Sequence, residues 1–236
     1  MKVLVIPDIH LKPEIFDRAS ELLHEGAADR AVCLMDLPDD WKKEYQIELY
    51  EKTFDRAILF AKEHPDTLWC YGNHDLSYVW DRLETGFSPY AISTVTNKLY
   101  RLRSSLPSLS QMAFMHRIDN ILFAHGGLTQ RFVNEHVAPE KRGDADKVVR
   151  AVNRLESDVM WREDSPLWYR PQYSEDEMYG GHEYTQVVGH TPVKRVFRKG
   201  NVISCDVFST NRDGTPIGTC EFAIIDTVTG EFTSVG

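Results

Sequence analysis

Lys2-Val3-Leu4-Val5-Ile6 runs without a break into Pro7-Asp8-Ile9-His10, and the same device recurs along the chain. Ala31-Val32-Cys33-Leu34-Met35 leads into Asp36-Leu37-Pro38-Asp39, and Thr67-Leu68-Trp69-Cys70-Tyr71 leads into Gly72-Asn73-His74-Asp75. Ile121-Leu122-Phe123-Ala124 leads into His125-Gly126-Gly127, and Gln186-Val187-Val188 into Gly189-His190-Thr191-Pro192. Each is a short apolar, strand-like run that ends in a metal-capable polar side chain. In an open α/β sheet, functional groups collect just beyond the carboxyl ends of the strands. The runs are therefore expected to converge on one point, although they lie far apart in sequence. Their donors are carboxylate, amide and imidazole with no thiolate, a set that suits a pair of divalent metal ions.

Working outward, the spacing predicts a helix over 14–25, with Ile15, Ala19, Leu22 and Leu23 on one face and Gly26 closing it. A second helix is predicted over 43–62 from the spacing of Ile47, Tyr50, Phe54, Ile58 and Ala61. The resulting β-α-β-α-β start implies a mainly parallel sheet with right-handed crossovers. The stretch 78–111 mixes short helical and irregular pieces, 144–158 reads as a helix, and 161–184 reads as a long aromatic- and proline-rich loop. Segments 195–198, 202–207 and 221–226 look like antiparallel strands, with a turn at 227–230 into a last strand at 231–234. Patterning alone delivers an α/β protein with a β-rich C-terminal third. No repeat or linker divides residues 1–236, which are expected to form one domain.

With 42% apolar and 27% charged residues the composition is that of a globular protein. No apolar run approaches the roughly 18 residues of a membrane span. The Met1-Lys2 start enters a strand directly, which points to a cytoplasmic protein with no membrane partner. The scattered Cys33, Cys70, Cys205 and Cys220 read as reduced, buried residues. A formal charge of −9 counts against non-specific nucleic-acid binding. It is compatible with an anionic substrate, because two bound dications would add roughly four positive charges inside the site.

The order Asp8-x-His10, Asp36-x-x-Asp39, Gly72-Asn73-His74-Asp75, His125-Gly126-Gly127, Gly189-His190-Thr191 resembles the calcineurin-like metallophosphoesterases. More narrowly it is similar to their phosphoprotein phosphatase branch, which includes Ser/Thr protein phosphatases, phage phosphatases and diadenosine tetraphosphatases. Any one motif is weak evidence; all of them in order span most of the chain. The resemblance implies a four-layer α-β-β-α sandwich of two mixed sheets flanked by helices. It implies two divalent ions, Mn²⁺ foremost with Fe, Zn or Ni as alternatives, one held by Asp8, His10 and Asp36. The other would be held by Asp36, Asn73, His125 and His190, with Asp36 bridging through its two oxygens. It also implies that a hydroxide between the ions attacks phosphorus and that His74, oriented by Asp39, protonates the leaving oxygen.

The chain departs from the family pattern in places. Pro192 stands where many members carry a second histidine, Met35 where a glycine usually precedes the bridging Asp, and Asp75 where a Glu is usual. Asp40 and Trp41 replace an Arg-Gly pair whose Arg binds phosphate, and an acid there is expected to weaken phosphate capture. Arg170 in Trp168-Tyr169-Arg170 is the candidate replacement, with Asn73 as a further substrate contact and Trp168, Tyr169 or Trp41 as a wall for a substrate ring. The expected substrate is a phosphorylated protein or small phosphomonoester. The alternatives are a dinucleoside polyphosphate or other nucleotide pyrophosphohydrolase, a phosphodiesterase, or a non-catalytic binding protein on the same scaffold.

Overall fold

A computed structural model describes residues 1–236. The parallel core is laid down as expected. β1 (Lys2–Ile6), β2 (Arg30–Cys33) and β3 (Leu68–Cys70) pair in parallel, with α1 (Glu14–His24) and α2 (Ile47–Glu63) as crossovers. The first sheet has six strands, with β4 (Met112–Ala113) beyond β3 at one edge. At the other edge, β10 (Phe222–Asp226) pairs antiparallel to β1, and β11 (Phe232–Val235) to β10. The second sheet runs β5 (Met115–Ile118), β6 (Ile121–Ala124), β7 (Thr185–Val188), β9 (Val202–Ser204), β8 (Phe197–Lys199).

Both sheets are buried on both faces, which explains the unbroken apolar runs. Alternation sends Val3, Val5, Val32 and Leu34 toward Phe123, Val187 and Ile203 of the second sheet. Leu4, Ile6, Ala31 and Cys33 face the helices on the outside, against Phe16, Tyr50, Phe54 and Phe60. Leu122 and Ala124 face α5 (Gln130–His136) and α6 (Ala145–Val152) on the far side. The order of layers is helix, sheet, sheet, helix. No helix is long and apolar enough to cross a membrane.

Several expectations are corrected. The reading of 78–111 as short helical and irregular pieces misses the 14-residue α4 (Ile92–Ser105), which packs against α2 through Val95, Leu99 and Leu102. Those three are its only buried residues, so its apolar stripe is too narrow to stand out from sequence. α2 begins at Ile47 rather than 43, because residues 40–46 form turns beside the cavity described below. The helix expected over 144–158 breaks after Val152, where the Asn153 side chain accepts from Met115 N and donates to Met115 O, both at 2.9 Å. A short α7 (Ser157–Met160) follows. The strand expected at 202–207 is antiparallel to β8 but parallel to β7 and ends at Ser204.

Candidate active site

The carboxyl ends of β1, β2 and β3 in one sheet and of β6 and β7 in the other meet across the sandwich. There the structure brings together Asp8, His10, Asp36, Asn73, His125 and His190. His125 Nε2 lies 3.1 Å from Asp36 Oδ2, 4.0 Å from Asp8 Oδ2 and 3.0 Å from Asn73 Oδ1. His10 Nε2 lies 3.9 Å from Asp36 Oδ2 on the other side. Two compact triples of donor atoms result, Asp36 with His125 and His190, and Asp36 with His10 and His74, the atoms of each within 4.8 Å of one another. Asp36 belongs to both. Asp8 is in neither triple but lies alongside, its Oδ2 accepting from His190 N at 2.9 Å.

Outer contacts settle which imidazole atom faces inward. His125 Nδ1 donates to Leu34 O at 2.8 Å and His10 Nδ1 to Asp39 O at 2.9 Å, so Nε2 of each is the atom that faces the cluster. Asp8 Oδ1 and His190 Nε2 are buried with no hydrogen-bond partner. Such orphans are costly, and a cation among them removes the cost. The backbone is bent to fit: His10, Met35, Asp36, Asp39 and His190 all have φ between 44 and 65°. Non-glycine residues seldom adopt this region, and such strain gathers at functional sites. Met35 thus holds, at φ 60°, the conformation a glycine would take freely, and its side chain is fully buried in the helix-side core.

The carboxylates and imidazoles of the cluster shift one another's pKa. Burial would lower the pKa of His125, but the Asp36 and Asp8 carboxylates overcome it and push it up to about 10. Burial would raise Asp36, yet His125, His74 and His10 hold it well below the usual carboxylate range. Burial and the neighbouring His74 take His10 down to about 4, and burial with His125 and Arg170 holds His190 well below its ordinary value. His10 and His190 are therefore neutral and ready to ligate, whereas His125 carries a proton that a metal must displace.

His74, a member of the second triple, is tied to both Asp36 and Asp39. Its backbone N–H donates to Asp36 Oδ1 at 2.9 Å, and its Nδ1 meets Asp39 Oδ2 at 3.0 Å. Burial opposes its charged form, but Asp36 and the Asp39 hydrogen bond raise it to about 9, so its Nε2 carries a proton at neutral pH. His74, Asn73 and Arg170 line a cavity of about 250 Å³ with Asp36, Trp41, Glu84 and Thr210. Arg170 Nη1 donates to His190 O at 2.7 Å, which sets its guanidinium beside the candidate metal cluster.

Two expectations about substrate contacts change. Asp40 is not an isolated negative charge beside the pocket. Lys12 Nζ lies 3.7 Å from its carboxylate, and Trp41 N and Thr210 Oγ1 donate to it at 2.8 and 2.9 Å. Trp168 and Tyr169 do not line the cavity: Trp168 packs edge-on against His190 at 5.5 Å, and Tyr169 donates to Asp176. Trp41 does line it, but Arg212 lies over its ring at 4.8 Å.

Sequence reasoning also passed over residues that matter here. Asp75 is fully buried and accepts from Asp36 N, Leu37 N and Gly72 N at 2.9, 3.1 and 3.1 Å. Asp206 is buried in the cavity wall, held by Ser209 N and Oγ, and burial pushes its carboxyl up to about 6. Its signal was available: Val202-Ile203-Ser204-Cys205 is one more apolar run ending in a carboxylate. Tyr50 carried no signal beyond helical spacing, and Tyr78 only opened the mixed stretch 78–111.

The family model for calcineurin-like phosphoesterases matches residues 1–208. Among solved structures, the cold-active protein-tyrosine phosphatase of a psychrophilic Shewanella species superposes with a TM-score of 0.56. It shares 18% identity over 100% of this chain and 80% of its own. A protein of Thermus thermophilus superposes with a TM-score of 0.50 at 12% identity, over 99% of this chain and 97% of its own. These likenesses establish the fold. No curated protein matches the sequence.

Two outcomes are expected. A Cβ on Gly72 would overlap Asp36 Oδ1, and one on Gly189 would overlap Asp8 Oδ1, whereas one on Gly143 meets nothing. Gly72→Ala and Gly189→Ala should each purify with one divalent ion or fewer per chain by elemental analysis, and Gly143→Ala should match the wild type. Equal metal content in all three would refute the assigned ligands. Second, Mn²⁺ titrated calorimetrically into chelator-stripped protein at pH 7, in buffers of different ionisation enthalpy, should release at least one proton per chain. His125, raised to about 10, is the source, so affinity should climb with pH until that proton is gone. Uptake without proton release would mean that His125 is already neutral before the metal binds or lies outside the ligand set.

Proposed function

The chain belongs to the calcineurin-like phosphoesterase family, and from that premise we propose that residues 1–236 form one domain that hydrolyses phosphomonoesters with two divalent ions. The supporting observation is the pairing of His74 with buried Asp39 at the mouth of a cavity that also holds Asp36 and Arg170. When bound, the ions would supply Lewis acidity toward phosphoryl oxygens and an acidified water as nucleophile. Asp8, His10, Asp36, Asn73, His125 and His190 would hold them, with Asp36 shared. Asp39 Oδ2 accepts the hydrogen bond from His74 Nδ1–H, which orients the ring so that Nε2–H can protonate the departing alkoxide. Arg170, tethered by Nη1 to His190 O, keeps its other guanidinium protons for phosphate oxygens. The Lys12 ion pair leaves Asp40 too nearly neutral in sum to repel that phosphate.

A monoester is favoured over a dinucleoside polyphosphate because the cavity is small and Trp41 is the one aromatic ring other than histidine in its wall. Trp41 is covered by Arg212, and Glu84 adds a carboxylate to the wall with no cation on it. With Mn²⁺, the protein is expected to turn over an aryl phosphate and a phosphopeptide faster than a dinucleoside tetraphosphate or a cyclic nucleotide. The reverse order would replace this reading with a pyrophosphohydrolase or a phosphodiesterase. Arg170→Ala should mainly raise KM, with a smaller fall in kcat, since the contact acts in ground and transition states alike. A charge-assisted contact of about 1.5–3 kcal/mol corresponds to roughly ten- to a hundredfold in kcat/KM. An unchanged kcat/KM would mean that Arg170 only braces the His190 loop.

A further inference from the structure

Asp39 is 1% exposed, and its two oxygens have different partners. Oδ2 meets His74 Nδ1 at 3.0 Å; Oδ1 accepts phenolic protons from Tyr50 at 2.9 Å and from Tyr78 at 2.6 Å. Tyr50 comes from α2, whereas Tyr78 lies one turn after His74 on α3 (Asn73–Val79), so one helix face presents both groups to Asp39. Tyr78 Oη also accepts from Ser88 N at 2.8 Å, and the Tyr78 ring stacks on Phe87 at 4.4 Å. Ser88 Oγ in turn donates to Glu44 O. Ser88 belongs to the segment that contributes Glu84, Thr85 and Gly86 to the cavity wall.

The direction of this chain of hydrogen bonds is forced. A backbone N–H only donates, so Tyr78 Oη must accept from Ser88 and direct its own proton to Asp39. Burial and the Asp39 charge both push the Tyr50 and Tyr78 phenols upward, which keeps those protons in place. With Oδ1 doubly occupied, the carboxylate cannot rotate to exchange its oxygens, and Oδ2 stays on His74. A cation or proton donor elsewhere would be needed to hold Asp39 otherwise, and the side chain has none.

We propose that Tyr50 and Tyr78 are positioning residues for proton donation: they lock Asp39 so that His74 Nε2 points at the leaving oxygen, and Tyr78 ties that alignment to the 84–88 wall. This rests on His74 acting as the proton donor in the proposed reaction. The phenols touch neither substrate nor the candidate metal ligands, so their effect is confined to the step that needs a proton. A leaving group that departs as a stable anion bypasses it, whereas an alkoxide cannot.

The test compares a simple alkyl phosphate with a dinitrophenyl phosphate on the Mn²⁺-loaded protein. Tyr50→Phe and Tyr78→Phe should each lower kcat for the alkyl ester about 5- to 50-fold, a part of the roughly 10²–10⁴ that a positioned acid supplies. Turnover of the dinitrophenyl ester by the same preparations should stay close to wild type, with unchanged metal content, and it gauges the fraction of folded sites. If one variant fails to fold, the other carries the same comparison. In a His74→Asn background, adding either substitution should cost nothing further. Equal losses on both esters, no loss on the alkyl ester, or a loss that persists without His74 would each overturn the assignment. The control separates the layers: a His74→Asn loss that ignores the leaving group removes the acid itself, whereas a selective His74→Asn loss with unselective tyrosine variants removes only the clamp.

Discussion

The Asp75 carboxylate, with no solvent exposure and backbone N–H groups of Asp36, Leu37 and Gly72 on its oxygens, fastens the end of β2 to the end of β3. Burial and the Asp36 charge push this carboxyl up to about 7, and the backbone donors oppose that shift by favouring its charged form. The same device repeats around the site: Asp36 Oδ1 accepts from His74 N, and Asp8 Oδ2 from His190 N. Asp36 and Asp8 are each thereby held by an amide from a different strand end. One oxygen is used for positioning and the other is left for the centre.

That positioning has a cost in backbone geometry. Residues on either side of the cluster, His10, Leu11, Met35, Asp36, Asp39 and His190, sit in the left-handed region. Each such residue costs of order 1–3 kcal/mol and persists only where packing over-determines it. At Met35 the compensation is visible, since its side chain is buried among the residues that join the first sheet to its helices. Glycine is retained where a side chain is impossible rather than merely strained, at Gly72 and Gly189, whose absent Cβ atoms make room for Asp36 and Asp8.

Electrostatically the cavity has two faces. On one, Lys12 offsets Asp40, which sits where the family pattern has a cation; on the other, Arg170 brings a guanidinium to the His190 loop. A guanidinium is thus present in the cavity wall, though not at the position where the family pattern has its cation. The wall near His74 stays acidic through Glu84 and Asp39, which favours the charged form of the imidazole.

Apolar runs ending in Asp8, Asp36, Asn73, His125 and His190 were legible because strand period, burial on both faces and the polarity of a strand end are all local properties. They determined the parallel start of the sheet and the family, and they named the candidate ligands. Residues whose role is to hold other residues were not legible. Tyr50 reads as one more member of an apolar helix face, and Tyr78 as the start of an irregular stretch, yet their hydroxyls meet on one oxygen of Asp39. Lys12, next to a ligand motif, gave no hint that Asp40 would be its partner. Helix α4 and the break at Asn153 were hidden for the same reason: a stripe of three buried residues and a pair of bonds to Met115 acquire meaning only beside their neighbours. Sequence fixes what each side chain can donate, accept or bury. Which groups meet depends on contacts between segments tens of residues apart, and only the folded sandwich decides those.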